Sequence, residues 1–306
     1  MESADRGTPS LKSVLSLIRF KNLLIGSATV LTGSYVTFQD QWNADITLNV
    51  ILQMISVASF MAAGNILNDI TDVEIDKISH PLRVLPSGKI SIFQAWTLAG
   101  IFSVLSTITV IYGAVLLNKL ELEWKPLLFI WLIAFSLMVS YEIGPKTKKY
   151  GFLGNVIIGS MLGLVIIYGA AAVGEYNNII TFFMALMATF VGISREIVKD
   201  VHDIEGDLEW GRRTLPMKIG EQESRNLAYI FAMLGLISVM LPFTMEWGDL
   251  EYWMIMFQGP TMYLLVRLNE PLRFGNDKKA IKSLLTSMIS GLIGFFSLNF
   301  TLSHII

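Results

Sequence analysis

Nine apolar runs, near 15–38, 46–67, 92–117, 126–142, 152–173, 178–198, 226–243, 252–268 and 283–303, occupy most of this 306-residue chain. A helix needs roughly 20 residues to cross about 30 Å of hydrocarbon. Composition agrees, since 53% of residues are hydrophobic and only 16% are charged, against about 25% charged in soluble domains. The sequence therefore predicts an all-α polytopic membrane protein with nine transmembrane helices. Connections are short except around 68–91 and 199–225, which predicts one membrane domain over 1–306, with 1–10 a polar tail that lacks the pattern of a cleaved signal peptide.

Nine spans place alternate loops on opposite sides, and the basic residues sort accordingly. One side receives Lys77, Arg83, Lys89, Lys146, Lys148, Lys149, Arg212, Arg213, Lys218, Lys278, Lys279 and Lys282, the other only Lys119 and Lys125. Basic residues concentrate on the cytoplasmic side of membrane proteins. The expectation is a cytoplasmic N-terminus and a C-terminus on the opposite face. A net charge of -2 argues against nucleic acid as a partner, because such a surface needs clustered excess Lys and Arg. With no cysteine present, disulfides and thiolate metal sites are excluded. No obligate protein partner is evident.

Two stretches break the apolar pattern. Asn68-Asp69-Ile70-Thr71-Asp72-Val73-Glu74-Ile75-Asp76 closes the second run, and Lys199-Asp200-Val201-His202-Asp203-Ile204-Glu205-Gly206-Asp207 closes the sixth. Offset by 131 positions, they align as N-D-x-x-D-x-E-x-D over K-D-x-x-D-x-E-x-D, followed in turn by Arg83, Leu85-Pro86 and by Arg213, Leu215-Pro216. This is an internal repeat, and both copies fall on the predicted cytoplasmic side. On a helix, Asn68, Asp72 and Asp76 share one face, as do Asp200, Asp203 and Asp207. One such string is ordinarily a solvated helix face. Two matched copies favour divalent metal.

Oxygen-only donors suit a hard cation, and Mg²⁺ in particular takes one or two carboxylates, water and substrate phosphate. The histidines His80, His202 and His304 are too scattered for zinc. Paired carboxylate clusters would bind a diphosphate through bridging ions and stabilise the charge that develops as it leaves. Arg83, Lys146, Arg195, Lys199 and Arg213 are candidate phosphate partners, although positive-inside bias accounts for any one of them equally well. Tyr141 is either an interface tyrosine or a phenol facing phosphate or a developing cation. Asn155 bonds helix to helix or reaches the site. Arg19, Lys21, Asn22, Asn65, Arg195 and Glu196 cluster near the same ends of their spans and predict a polar chamber there.

The strings Asn68-Asp69-x-x-Asp72-x-x-x-Asp76 with His80-Pro81-x-Arg83-x-Leu85-Pro86, and Arg195-Glu196-x-x-Lys199-Asp200-x-x-Asp203-x-Glu205-Gly206-Asp207 with Arg213-Thr214-Leu215-Pro216, resemble the two aspartate-rich motifs of the UbiA superfamily of intramembrane prenyltransferases. The second is most similar to that family's archaeal-lipid branch. The resemblance implies nine helices around a central cavity, two Mg²⁺ ions, and prenyl transfer from a diphosphate. It implies Asn68, Asp72 and Asp76 at one ion, and Asp203 and Asp207 at the other with Asp200 close by. Tyr141 and Lys146 resemble the family's Tyr/Lys element with one extra residue between them, and Arg19 and Asn22 its polar pair at the start of the first helix. The implied donor is geranylgeranyl diphosphate and the implied acceptor a lipid-like hydroxyl, geranylgeranylglyceryl phosphate, joined in an ether bond. An aromatic acceptor in quinone synthesis is the alternative within the family, and a secondary transporter the alternative outside it.

Overall fold

The computed structural model describes residues 9–38, 42–144, 147–209, 213–244 and 252–305. Among them no strand occurs. The helices in chain order are α1 (Leu11–Leu17), α2 (Phe20–Thr37), α3 (Ala44–Thr71), α4 (Val73–Ser79), α5 (Ile92–Lys119), α6 (Lys125–Glu142), α7 (Phe152–Ala171), α8 (Ile179–His202), α9 (Ile204–Glu209), α10 (Leu215–Ile219), α11 (Glu221–Thr244), α12 (Gly259–Arg267), α13 (Asn269–Arg273) and α14 (Asp277–Ile305). Local chemistry sets several starts. Asn43 and Asn178 accept from Ile46 and Thr181 N–H to cap α3 and α8, and Ser91 with Gln94 forms a capping box on α5.

Seven described helices are long and apolar enough to cross a membrane, and α1 with α2, bent by 58°, forms an eighth candidate. The count of nine is therefore not reproduced by helix length. The run near 252–268 is a 3₁₀ segment, Tyr252–Gln258, followed by nine residues of α12 that begin at Gly259-Pro260. Proline lacks the N–H a continuing helix would need, so it opens a helix rather than extending one. Inside the first predicted span, Arg19 adopts φ 53° between α1 and α2, a left-handed conformation that makes the bend.

Side-chain bonds show which helix ends meet. Asn49 Nδ2 donates to Ala172 O at 2.6 Å, joining the start of α3 to the end of α7. Asn155 Nδ2 donates to Asp200 Oδ2 at 3.0 Å, joining the start of α7 to the end of α8. Asn68 Nδ2 donates to Glu142 Oε1 at 3.0 Å, joining the ends of α3 and α6. Both acidic stretches thus lie at one end of the bundle.

Close packing in lipid relies on small residues rather than on a hydrophobic drive between helices. Gly159-x-x-x-Gly163 on α7 supplies them against α8: a Cβ on Gly159 would lie 2.8 Å from both Ile193 N and Thr189 O. α7 packs on α2 and α6 as well as α8, and the space left between α2, α3, α6, α7 and α8 is a chamber of about 360 Å³.

Candidate active site

Both acidic stretches interrupt their helix in the same way. Asp72 separates α3 from α4 at φ −103°, ψ 7°, and Asp203 separates α8 from α9 at φ −100°, ψ 9°. The hydrogen-bond ladder nevertheless runs through each break. Asp72 and Asp76 N–H donate to Asn68 and Asp72 carbonyls at 3.0 and 2.8 Å, while Asp203 and Asp207 N–H donate to Lys199 and Asp203 carbonyls at 2.9 and 3.0 Å. A ψ near zero in place of about −42° redirects the following turn without unwinding it. The sequence repeat is therefore a repeat of backbone shape, and each predicted stripe bends at its middle aspartate.

Asp69, Asp72 and Asp76 of the first motif each have a basic partner. Arg19 Nη2 bonds Asp69 Oδ1 at 2.7 Å and reaches Asn68 Oδ1 at 3.4 Å. Lys148 Nζ bonds Asp72 Oδ1 at 3.0 Å, and Arg83 Nη1 lies 2.7 Å from both oxygens of buried Asp76. Lys148 also donates to Glu142 Oε2 at 2.9 Å and to Thr71 Oγ1 at 2.8 Å. In the second motif Glu196 accepts from Arg195 at 3.0 Å and Lys199 at 2.7 Å, while Asp200 accepts from Asn155. Among the described residues, Arg195 Nε and Ser194 Oγ are buried without a partner.

Arg19, Asn22, Asn68, Tyr141, Glu142, Glu196 and Lys199 form the polar mouth of the chamber. Its walls are apolar, with Phe60, Met61, Met138, Met161 and Leu162 among them, and Trp131 and Tyr168 lie at the far end. Asp203 and Arg213 are exposed, and neither lines the chamber, nor do Asp72, Asp76, Asp200, Asp207, Arg83 or Arg195. Lys146 lies outside the described residues.

Residues 27–298 match the UbiA prenyltransferase family. The chain belongs to that family. The digeranylgeranylglyceryl phosphate synthase of Pyrococcus horikoshii is 35% identical over 231 residues, covering 76% of this chain and 77% of the relative. A solved structure of a digeranylgeranylglyceryl phosphate synthase in membranes superposes with a TM-score of 0.73 at 28% identity, covering 95% of this chain and 99% of the other. A UbiA homologue from Archaeoglobus fulgidus bound to GPP and Mg²⁺ superposes at 0.69 and 17% identity, over 94% and 98% of the two chains. At that identity the likeness is one of fold.

The donors in this UbiA-family site fit Mg²⁺. The Asn and Asp candidates of both motifs offer oxygen ligands, and the first half-site brings Asn68, Asp72 and Glu142 within one hydrogen-bonded cluster. Among the described residues no group of three or more Asp, Glu or His side chains is gathered to hold a metal ion, so the protein's own ligands at either motif are few. Such open half-sites suit Mg²⁺, which keeps waters and completes its shell with substrate phosphate.

Glu142 and Lys148 are site residues that the two motifs do not announce. In the sequence Lys148 is one basic loop residue among several. Glu142 carries a signal, because a carboxylate at the last residue of an apolar helix opposes the helix dipole and needs a cation. Lys148 is that cation.

Proposed function

We propose that this chain is a Mg²⁺-dependent intramembrane prenyltransferase that moves a geranylgeranyl group from its diphosphate to the hydroxyl of geranylgeranylglyceryl phosphate, forming an ether-lipid precursor. The observation that carries this reading is the pair of helix ends broken alike at Asp72 and Asp203, each following a residue, Asn68 or Lys199, that lines the polar end of an apolar chamber. Asn68 and Asp72 on one side, and Asp200, Asp203 and Asp207 on the other, would hold Mg²⁺; Asp76, expected from the sequence at the first ion, has both oxygens against Arg83 and braces that half-site from behind instead. Bound there, Mg²⁺ would neutralise the diphosphate and the negative charge that grows on it as the allylic C–O bond breaks.

The chain's own residues do the rest. Arg19 and Lys199 meet the diphosphate at the mouth, while Arg195, which does not line the chamber, holds Glu196. The apolar walls keep water from the allylic carbon, so that the acceptor oxygen rather than water forms the new bond. Tyr141 lines the chamber near its polar end, where an aromatic ring would stabilise the allylic cation. The acceptor hydroxyl bonds the allylic carbon, diphosphate departs with the electron pair of the broken C–O bond, and the hydroxyl proton passes to solvent or diphosphate.

The sorting of Lys and Arg supports a cytoplasmic mouth and N-terminus. Arg225, which ties the start of α11 to Asp277 at the start of α14 through bonds of 2.9 and 2.8 Å, supports a C-terminus at the opposite face.

The test is a product assay on membranes supplied with geranylgeranyl diphosphate, Mg²⁺ and either geranylgeranylglyceryl phosphate or an aromatic acceptor. Ether product is expected from the first and none from the second. Asp72→Ala and Asp203→Ala should each abolish Mg²⁺-dependent diphosphate release. Full activity in either variant, or activity that survives chelation, sinks the metal assignment.

A further inference from the structure

The bend between α1 and α2 leaves one backbone carbonyl without its helical partner. In an unbroken helix Ile18 O would accept from Asn22 N–H, four residues on. Here Asn22 N–H donates to Arg19 O at 2.8 Å instead. Ile18 is buried, and an unpaired carbonyl is costly in such a place. Asn65 on α3 supplies the missing donor, with Nδ2 2.9 Å from Ile18 O. The other end of the same amide, Oδ1, lies 3.5 Å from Arg19 Nη1. One side chain thus meets both the backbone that enters Arg19 and the Arg19 guanidinium.

Arg19 needs that support. Its left-handed backbone, φ 53°, ψ 54°, is unfavourable for a residue with a Cβ, and its long side chain has many rotamers to lose on ordering. Leu17 and Ile18 share one buried cluster with Ile66 and Leu67, but apolar packing is non-directional. The bond from Asn65 fixes the direction of the Ile18 carbonyl, and the rigid peptide plane carries that direction into Arg19. The guanidinium then bonds Asp69 at 2.7 Å and reaches Asn68 at 3.4 Å. Among the described residues these bonds use no more than three of its five N–H groups, and Arg19 and Asn65 both line the chamber.

The second copy of the repeat is built the same way. Offset by 131 positions, Asn65 aligns with Glu196, and each stands three residues before its acidic stretch. Glu196 also lines the chamber, and it accepts at 2.7 Å from Lys199, the basic residue of the second motif at the mouth. From this we infer that Asn65 is a positioning residue, which fixes the α1–α2 bend so that the unused edge of the Arg19 guanidinium is presented to the diphosphate. The inference rests on the prenyl-transfer reading above.

The experiment is a calorimetric titration of the purified protein in detergent with Mg²⁺, using inorganic diphosphate and a non-reactive geranylgeranyl thiolodiphosphate. The variants are Asn65→Leu, Asn65→Ala, Arg19→Gly and the two doubles. Glycine at 19 keeps the left-handed bend without strain, and changing neutral Asn65 leaves the charge of the site alone. Asn65→Leu should weaken both ligands by about tenfold, equivalent to one charged hydrogen bond made badly. In the Arg19→Gly protein the same change should alter affinity by less than about twofold, because the two residues act as one unit. Melting is the second readout. Asn65→Leu should lower Tm in both backgrounds, since Ile18 O loses its partner in each, and Asn65→Ala decides both readouts if the leucine variant does not fold. A lowered Tm with wild-type affinities would make Asn65 merely structural, and losses that multiply in the double variants would mean that it touches the diphosphate itself. Either result overturns the assignment. Coupled losses in a protein that makes no ether product would overturn the proposed reaction and leave the positioning role in place. Ether formation with multiplied losses would do the reverse.

Discussion

Lys148 sits between two carboxylates, and a double-mutant cycle on it tests whether the first half-site is held as one unit. The Lys148 and Glu142 side chains are 8% and 7% exposed, and Asp72 is 16% exposed, so solvent screening is weak. Lys148→Met leaves Glu142 and Asp72 as neighbouring buried anions, and breaking a buried pair this way costs about 3–5 kcal/mol. Glu142→Gln keeps an acceptor for Asn68, Thr71 and Lys148 but makes it neutral. That exchanges charged hydrogen bonds worth about 1.5–3 kcal/mol for neutral ones of about 0.5–1.5 kcal/mol, a loss of about 1–2 kcal/mol. In the Glu142→Gln background, Lys148→Met takes the cation from one carboxylate instead of two, so the double variant should be about 1–2 kcal/mol less destabilised than the sum of the singles, within the range measured for contacting residues. The readout is unfolding by SDS titration in mixed micelles at two ionic strengths, and the coupling should survive added salt because both groups are buried. Glu142→Gln should also lower kcat/KM about 10–100-fold, as partners of metal ligands typically do. Additivity to within about 0.5 kcal/mol would refute the shared cluster.

Two further substitutions test the scaffold. Gly159→Val drives a side chain into the α8 backbone, 2.8 Å from Thr189 O, and should destabilise by at least about 1–3 kcal/mol as overpacking does; a thermal melt unchanged from wild type would show that α7 and α8 can separate freely. Arg19→Gly and Arg19→Ala both remove the bonds to Asp69 and Asn68, so both should weaken diphosphate binding. Because Arg19 has φ 53°, the glycine variant should be more stable than the alanine variant by about 1–2 kcal/mol, and equal stability would mean the bend is not held at that angle.

Most of the bundle was legible from apolar run length alone. The runs near 46–67, 92–117, 126–142, 152–173 and 178–198 became α3, α5, α6, α7 and α8 with ends shifted by a few residues, because a span in lipid has no alternative to the helix. The run near 252–268 failed the same test, since hydropathy counts residues and ignores that Gly259-Pro260 starts a new helix after a 3₁₀ turn. At the site, the repeat located both helix breaks, but the distribution of charge among basic residues was not readable. Arg83 and Arg213 look equivalent after their motifs. Arg83 folds back on Asp76, whereas Arg213 is exposed before α10. Lys148, one basic residue among several in its loop, reaches Asp72 because Thr147–Lys149 forms a 3₁₀ turn beside the start of α7, a placement set by tertiary packing.

The two broken helices also explain why the site is expensive to fold. Each motif sets carboxylates at the C-terminal end of a long helix, where the macrodipole is already negative. The first motif answers with Arg19, Lys148 and Arg83, so those cations serve the fold as well as the substrate. Asp203 is exposed at the C-cap of α8, and an acidic side chain there is unfavourable by about 0.3–1 kcal/mol. Asp203→Ala should therefore abolish diphosphate release while raising stability by about that amount, since alanine tolerates φ −100°, ψ 9°. Removing Lys148 should lower both. Opposite signs of stability change in two inactive variants would separate residues kept for chemistry from residues that also hold the helix ends together. A loss of stability in Asp203→Ala would instead mean that its carboxylate holds the α8–α9 break in place.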